Sequence, residues 1–138
     1  MFFNQEKNNY KDTDLVKVAS LLIHAAKIDE NYSHEEEEII KKTLLSLGAE
    51  KIKLDGLIMK AKQYEKDANQ ILDFTREIKN LEEKNKIKII KSLWKIIYSD
   101  KDADIYETNL MRRLAGLLYI DSKIMGDIKE EIKKENLK

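Results

Sequence analysis

Cysteine is absent from this 138-residue chain, which excludes disulfides, thiolate catalysis and every metal site built on Cys. Proline is absent as well, and glycine occurs only four times. A chain so poor in helix breakers and so rich in Lys, Glu, Leu and Ala is expected to be all-α. An excess of one charge sign is also missing. The 26 basic and 26 acidic residues cancel, so no whole-molecule field recruits nucleic acid or an acidic membrane, and any such role needs a local patch. No apolar run approaches the roughly 20 residues of a membrane span. The stretch Met1 to Lys7 lacks the basic region and apolar run of a signal peptide. The expected compartment is the cytoplasm, and the length suits one domain with a real core.

What is present is helical periodicity. Residues 1–11 are polar and read as a flexible N-terminal segment, leaving 12–138 as a single domain. Thr13 or Asp12 is the expected cap of a first helix. Its apolar positions Leu15, Val18, Ala19, Leu22, Ala25 and Ala26 recur at three and four, with Lys17, Ser20, His24 and Lys27 on the opposite, solvated side. A second helix follows the capping box of Ser33 and Glu36, buries Ile39, Ile40, Leu44 and Leu47, and stops at Gly48. A third, from about Glu50 to Tyr64, turns Ile52, Leu57, Ile58 and Ala61 inward and tolerates Gly56. After a break at Glu65-Lys66-Asp67, a fourth from about Ala68 to Ile78 buries Ile71, Leu72, Phe74 and Ile78. The fifth, about Glu82 to Tyr98, carries the broadest apolar stripe: Ile87, Ile90, Leu93, Trp94 and Ile97. A sixth buries Leu110, Leu114, Leu117 and Leu118, with Gly116 suiting a close helix crossing. The seventh, about Asp121 to Asn136, faces Ile124, Met125, Ile128 and Ile132 inward.

One device occurs twice. Asp29-Glu30-Asn31-Tyr32-Ser33-His34-Glu35-Glu36 and Asp100-Lys101-Asp102-Ala103-Asp104-Ile105-Tyr106-Glu107 each join two apolar helical stretches through an acidic turn. Superposed, Asp29 meets Asp100, Glu36 meets Glu107 and Leu22 meets Leu93, which reads as an internal duplication of a helix-turn-helix unit. Asp104 with Glu107 repeats the capping box.

Oxygen-bearing side chains at alternate positions resemble the start of an EF-hand loop. The sixth position, however, is His34 or Ile105 rather than Gly, and the twelfth is Ile40 or Met111 rather than a bidentate Glu, so neither turn is an EF-hand. Two readings stay open: helix caps, or a weak divalent-cation site. The candidate ligands are Asp100, Asp102, Asp104 and Glu107 in the second turn and Asp29, Asn31 and Glu36 in the first. No other cofactor is called for.

The remaining candidates are weaker. His24 reads as a solvated histidine, and His34 as a minor addition to Asp29 and Glu36. Neither has the Glu three residues before it that a di-iron site needs. Lys84, Lys88, Lys91 and Lys95, with Lys86 nearby, form a basic stripe on the fifth helix. The stripe has no interleaved aromatics, so it reads first as a solvated face and only as an alternative as a nucleic-acid contact. Trp94 reads as core. No Gly-rich phosphate loop, nucleophile elbow or Ser/His/Asp set occurs, so an enzyme is not expected.

The run from Leu22 through Asp29, followed by Glu36 and then Leu44, Leu45, Leu47 and Gly48, resembles the tellurite-resistance TerB family, which includes the N-terminal domain of the DnaJ-like co-chaperone DjlA. Leu93 through Asp100 and Glu107 to Leu118 fits the same pattern. The resemblance implies a bundle of about seven helices on a duplicated core. It also implies a non-enzymatic role in stress or tellurite resistance, a protein partner, and acidic turns able to bind metal. This chain has Glu30 and Lys101 where the family's turn carries glycine. The competing reading from another class is a metal-dependent enzyme or metal-sequestering protein using the same turns.

Overall fold

The computed structural model describes residues 10–28, 32–68, 70–100 and 105–136, with backbone alone for 100, 105–107 and 136. Among the described residues there are seven α-helices, two short 3-10 turns and no strand. The helices are α1 Asp12–Ala26, α2 His34–Ser46, α3 Leu54–Asp67, α4 Leu72–Ile78, α5 Glu83–Ile97, α6 Ile105–Leu117 and α7 Ser122–Asn136. The all-α expectation therefore holds. Tyr10, the first described residue, packs against the core and its hydroxyl accepts a hydrogen bond from the Asn85 side chain.

α1 and α5 are the two central helices, and they pack on each other. α1 is covered by α2, α3, α4 and α5, and α5 also by α2 and α7. The expected stripe of α1 is buried, but so are Ser20, Leu21 and Ile23. The solvated side assigned to α1 is thus corrected. Ser20 is fully buried; its hydroxyl donates to the Val16 carbonyl at 2.7 Å and lies 3.2 Å from the Ala61 carbonyl of α3. Lys17 reaches across to Glu77 of α4 at 2.6 Å. α5 buries Ile89, Ile90, Leu93, Trp94, Ile96 and Ile97, while Ile87 at its margin is only partly covered.

Two helix ends are built alike. α2 stops where Gly48 takes a φ of 104°, with Ala49 N–H donating to the Leu44 carbonyl and Gly48 N–H to that of Leu45. α6 stops where Tyr119 takes a φ of 59°, with Ile120 N–H donating to Ala115 and Tyr119 N–H to Gly116. Both are Schellman caps. Gly48 and Tyr119 stand at the spacing that separates Asp29 from Asp100, and so do the ends of α1 and α5 and of α2 and α6. A bulky residue in the left-handed region is strained. Here Lys86 and Lys79 each place an ammonium 5.8 Å from the Tyr119 ring, and the buried Lys86 also donates to the Leu118 carbonyl at 2.9 Å. Lys86 therefore belongs to this cap and not to an exposed basic stripe.

Several local expectations are corrected. α1 begins at Asp12 after Lys11, with no side-chain cap from Asp12 or Thr13; the acids Asp12 and Asp14 instead sit in its first turn, where the helix dipole favours them. The chain after Glu50 forms a 3-10 turn, Lys51–Lys53, before α3. Its tighter winding swings Ile52 out to 90% exposure and lets Leu54 take the inner position. α3 continues through Glu65-Lys66-Asp67 and breaks at Ala68, and α4 starts at Leu72, which is 40% exposed rather than buried. A Cβ on Gly116 would meet nothing within 4 Å, so no close crossing depends on it.

Two glycines should respond with opposite signs. Gly56 is helical with open space where a Cβ would stand, so Gly56→Ala is expected to stabilise by about 0.5–1 kcal/mol. Gly48→Ala must hold an alanine at positive φ and is expected to destabilise by about 1 kcal/mol or more, both read from urea denaturation midpoints.

Candidate functional site

Of the seven candidate metal ligands, Asp29, Asn31, Asp102 and Asp104 lie outside the described residues. Asp100 closes the 3-10 turn Tyr98–Asp100, and Glu107 lies in the first turn of α6, both with backbone alone. The second capping box, Asp104 with Glu107, lies outside the described side chains as well. Glu36 is described, and it is 3% exposed. One carboxylate oxygen accepts from Ser33 N–H at 2.8 Å while Glu36 N–H donates to Ser33 Oγ at 3.1 Å, so the expected capping box is complete. The other oxygen lies 3.3 Å from Ser99 Oγ, at the end of α5. Glu36 thus faces inward while His34 stands 86% exposed near Glu38, and the two do not converge on one point. Among the described residues no group of three His, Asp or Glu is placed to hold a metal ion.

The beginning of α2 is tied to α3 by charge. Glu37 accepts from Tyr32 at 3.0 Å and pairs with Lys62 at 3.2 Å, and Lys41 pairs with Asp55 at 3.4 Å. Burial alone would raise the Glu37 carboxyl; hydrogen bonds from Lys62 and Tyr32 outweigh it and hold the group below the ordinary range. Burial, reinforced by Glu37, pushes the Tyr32 phenol well above its usual value.

A site the sequence reading missed lies among α1, α3, α4 and α6. His24 is not a solvated histidine. Its Nδ1 sits 3.2 Å from Glu65 Oε2, its ring lies 5.6 Å from that of Phe74, and the side chain is 38% exposed. The other Glu65 oxygen accepts from Lys27 Nζ at 2.8 Å, and the Glu65 side chain is only 10% exposed. His24 and Glu65 line a cavity of about 340 Å³. Phe74, Ile71, Leu110, Ala68, Gln70 and Arg113 complete its lining. Burial raises the Glu65 carboxyl, but the hydrogen bonds and charges of Lys27 and His24 more than offset it and hold it below the ordinary range. One signal in the sequence points here. Leu21 and Ile23 lie off the main stripe of the first helix, so that helix is apolar nearly all round and its few polar groups need partners from whatever covers it.

The lysine stripe is only partly a free face. Lys84 and Lys95 are exposed, but Lys88 donates to the Ser46 carbonyl at 3.0 Å and Lys91 pairs with Glu131 at 3.5 Å. Trp94 is 2% exposed, as expected for core, and stacks on Tyr98. Among the described residues no helix is long and apolar enough to cross a membrane.

The family model for the tellurite resistance protein TerB matches residues 15–130. The chain belongs to the TerB family. The match runs from Leu15 in α1 to Glu130 in α7, so the TerB domain is this helical bundle, and it includes every residue of the His24 cavity. No curated protein and no solved structure matches the chain.

Two outcomes are expected. Ser33→Ala removes the cap of α2 and should cost about 1 kcal/mol in chemical denaturation. Glu65 has a depressed folded-state pKa, so its stabilising contribution is present above the ordinary carboxylate pKa of about 4.3 and is lost as pH falls through the lower folded value. The stability gap between the native chain and Glu65→Gln should therefore be open at neutral pH and close on acidification, as measured by urea denaturation across pH.

Proposed function

We propose that this TerB-family chain is a non-enzymatic binding domain of the stress or tellurite-resistance type, acting by contact with a protein partner, with its acidic turns open to a divalent cation. The observation that carries this reading is the extent of the family match, residues 15–130, which takes in the bundle from α1 to α7. The activity of the family is then to be sought on the surface of this bundle.

The surface supports a partner. Ile52 and Met59 stand 90% and 73% exposed, seven positions apart, beside the ion pairs that hold α2 to α3. Large apolar side chains at such exposure gain most by being covered, since burying one is worth about 1.5–3 kcal/mol. A cation role rests on the second turn, where Asp100, Asp102 and Asp104 supply three carboxylates at alternate positions and Glu107 a fourth.

The two parts separate in experiment. Calcium, magnesium or manganese at millimolar concentration should raise the melting temperature of the native chain, and Asp100→Ala should abolish that rise. A flat response to all three ions removes the cation from the proposal. A partner retained by the tagged native chain in its own cells should be lost by the double variant Ile52→Asp, Met59→Asp at unchanged melting temperature. Equal retention by the double variant would move the contact elsewhere on the bundle.

A further inference from the structure

The lysines that the sequence sets on one stripe of α5 are joined in the structure by a lysine of α2. Lys42, Lys88, Lys91 and Lys95 line a groove of about 350 Å³ between the two helices, with the Thr43 and Ser92 hydroxyls among its walls. No carboxylate among the described residues lines it. Along α5, Lys84, Lys88, Lys91 and Lys95 follow one another at spacings of four, three and four, so each has a like charge on the next turn, an arrangement that destabilises a helix. Lys42 adds a further positive charge from the other wall. Among the described residues only Lys91 of this set has a carboxylate partner, Glu131 at 3.5 Å. An arriving anion relieves the rest of the crowding.

What the groove offers a ligand is ammonium groups. The Thr43 and Ser92 hydroxyls are taken, bonded to each other and to the carbonyls of Ile39 and Lys88. Lys88 donates to the Ser46 carbonyl at 3.0 Å, which holds its ammonium at the end of α2 and leaves two donors over. Lys42 is exposed and makes no ion pair among the described residues. The pair of Lys91 with Glu131 has side chains 40% and 50% exposed, and such a pair contributes little against a competing anion. These three stand apart from the acidic turn after α5, since the helical rise puts Lys91 and Lys88 roughly 14 and 18 Å from residue 100. A single carboxylate would pair with one ammonium and leave the others crowded. A chain of phosphates brings several charges and many acceptor oxygens within reach at once, and lysine suits it as a point charge on a flexible stem. We propose that the groove between α2 and α5 binds a ligand bearing a chain of two or three phosphates, held by Lys42, Lys88 and Lys91. An extended nucleic acid would instead follow the whole stripe, including Lys84, which lies outside the groove. The site uses neither the turn carboxylates nor the surface of Ile52 and Met59, so it stands or falls separately from the partner and cation reading.

Sodium tripolyphosphate and orthophosphate, each titrated by calorimetry into the full chain in metal-free buffer at about 50 mM salt, are suitable probes. Tripolyphosphate should bind with a Kd below about 1 mM, and orthophosphate about tenfold more weakly or worse. Lys42→Met keeps the aliphatic stem and removes the charge, so it should leave the melting temperature unchanged and weaken tripolyphosphate about tenfold. Lys91→Met should weaken it likewise, and Lys84→Met should leave the affinity as it was. ATP carries the same phosphate chain on a nucleoside. Binding of ATP as tight as that of tripolyphosphate, or tighter, names a nucleotide as the source of the chain, and weaker binding names the inorganic polymer; Lys42→Met should weaken ATP in either case. Equal affinity for tripolyphosphate and orthophosphate, full affinity in Lys42→Met, a loss in Lys84→Met as large as that in Lys42→Met, which is the mark of a nucleic-acid face, or no response to tripolyphosphate at about 10 mM would each overturn the assignment.

Discussion

Beyond its first turn, α1 is a helix covered by four others, and little of its surface is left on which a polar group could stay unpaired. Its burial sets the terms for the rest of the bundle. The polar side chains along its covered length find partners on the helices around it: Ser20 in its own turn and the backbone of α3, Lys17 in Glu77 of α4, and His24, with Lys27 just past the helix end, in Glu65 of α3. The Ser20 contact is the buried one, and leaving it unmade would cost more than an ordinary surface pair contributes. The covering helices are thus positioned by two demands at once, apolar burial along the stripe and polar satisfaction along its edge. The His24 cavity is where those demands leave a gap: α4 begins only at Leu72, and α6 contributes Leu110 and Arg113 to the lining.

The caps show how one geometry is reached with different residues. At the end of α2 the left-handed position is held by glycine at no steric cost, whereas at the end of α6 it is held by tyrosine. Two lysines over the tyrosine ring and a lysine-to-carbonyl bond at the neighbouring residue offset that strain. A residue that sequence spacing assigns to a basic face, Lys86, is therefore part of the architecture. The two caps stand at the same spacing along the chain as the repeated acidic turns.

Much of the fold was legible because it is local. Three-and-four spacing located the seven helices of the described residues, Ser33 followed by Glu36 announced the start of α2, and Gly48 announced its end. What was not legible is what depends on partners far along the chain. Glu65 lies 41 residues from His24, and no periodicity says that it will neutralise Lys27 and orient the imidazole. Ile52 was misplaced because a 3-10 turn rotates side chains through a larger angle per residue than the α-helix assumed for it. For the candidate site, the capping role of Glu36 was readable, whereas the turn carboxylates fall outside the described side chains.

Glu36 has one further consequence. Its first oxygen closes the start of α2, and its second shares the Ser99 hydroxyl with the Ile96 carbonyl at the end of α5. One buried carboxylate is thereby common to the opening of one helix and the closing of another that lies far from it in sequence. Opening either end exposes the same carboxyl group to water, so the two ends are expected to fray together, as a single cooperative unit whose protection from solvent exchange rises and falls in step.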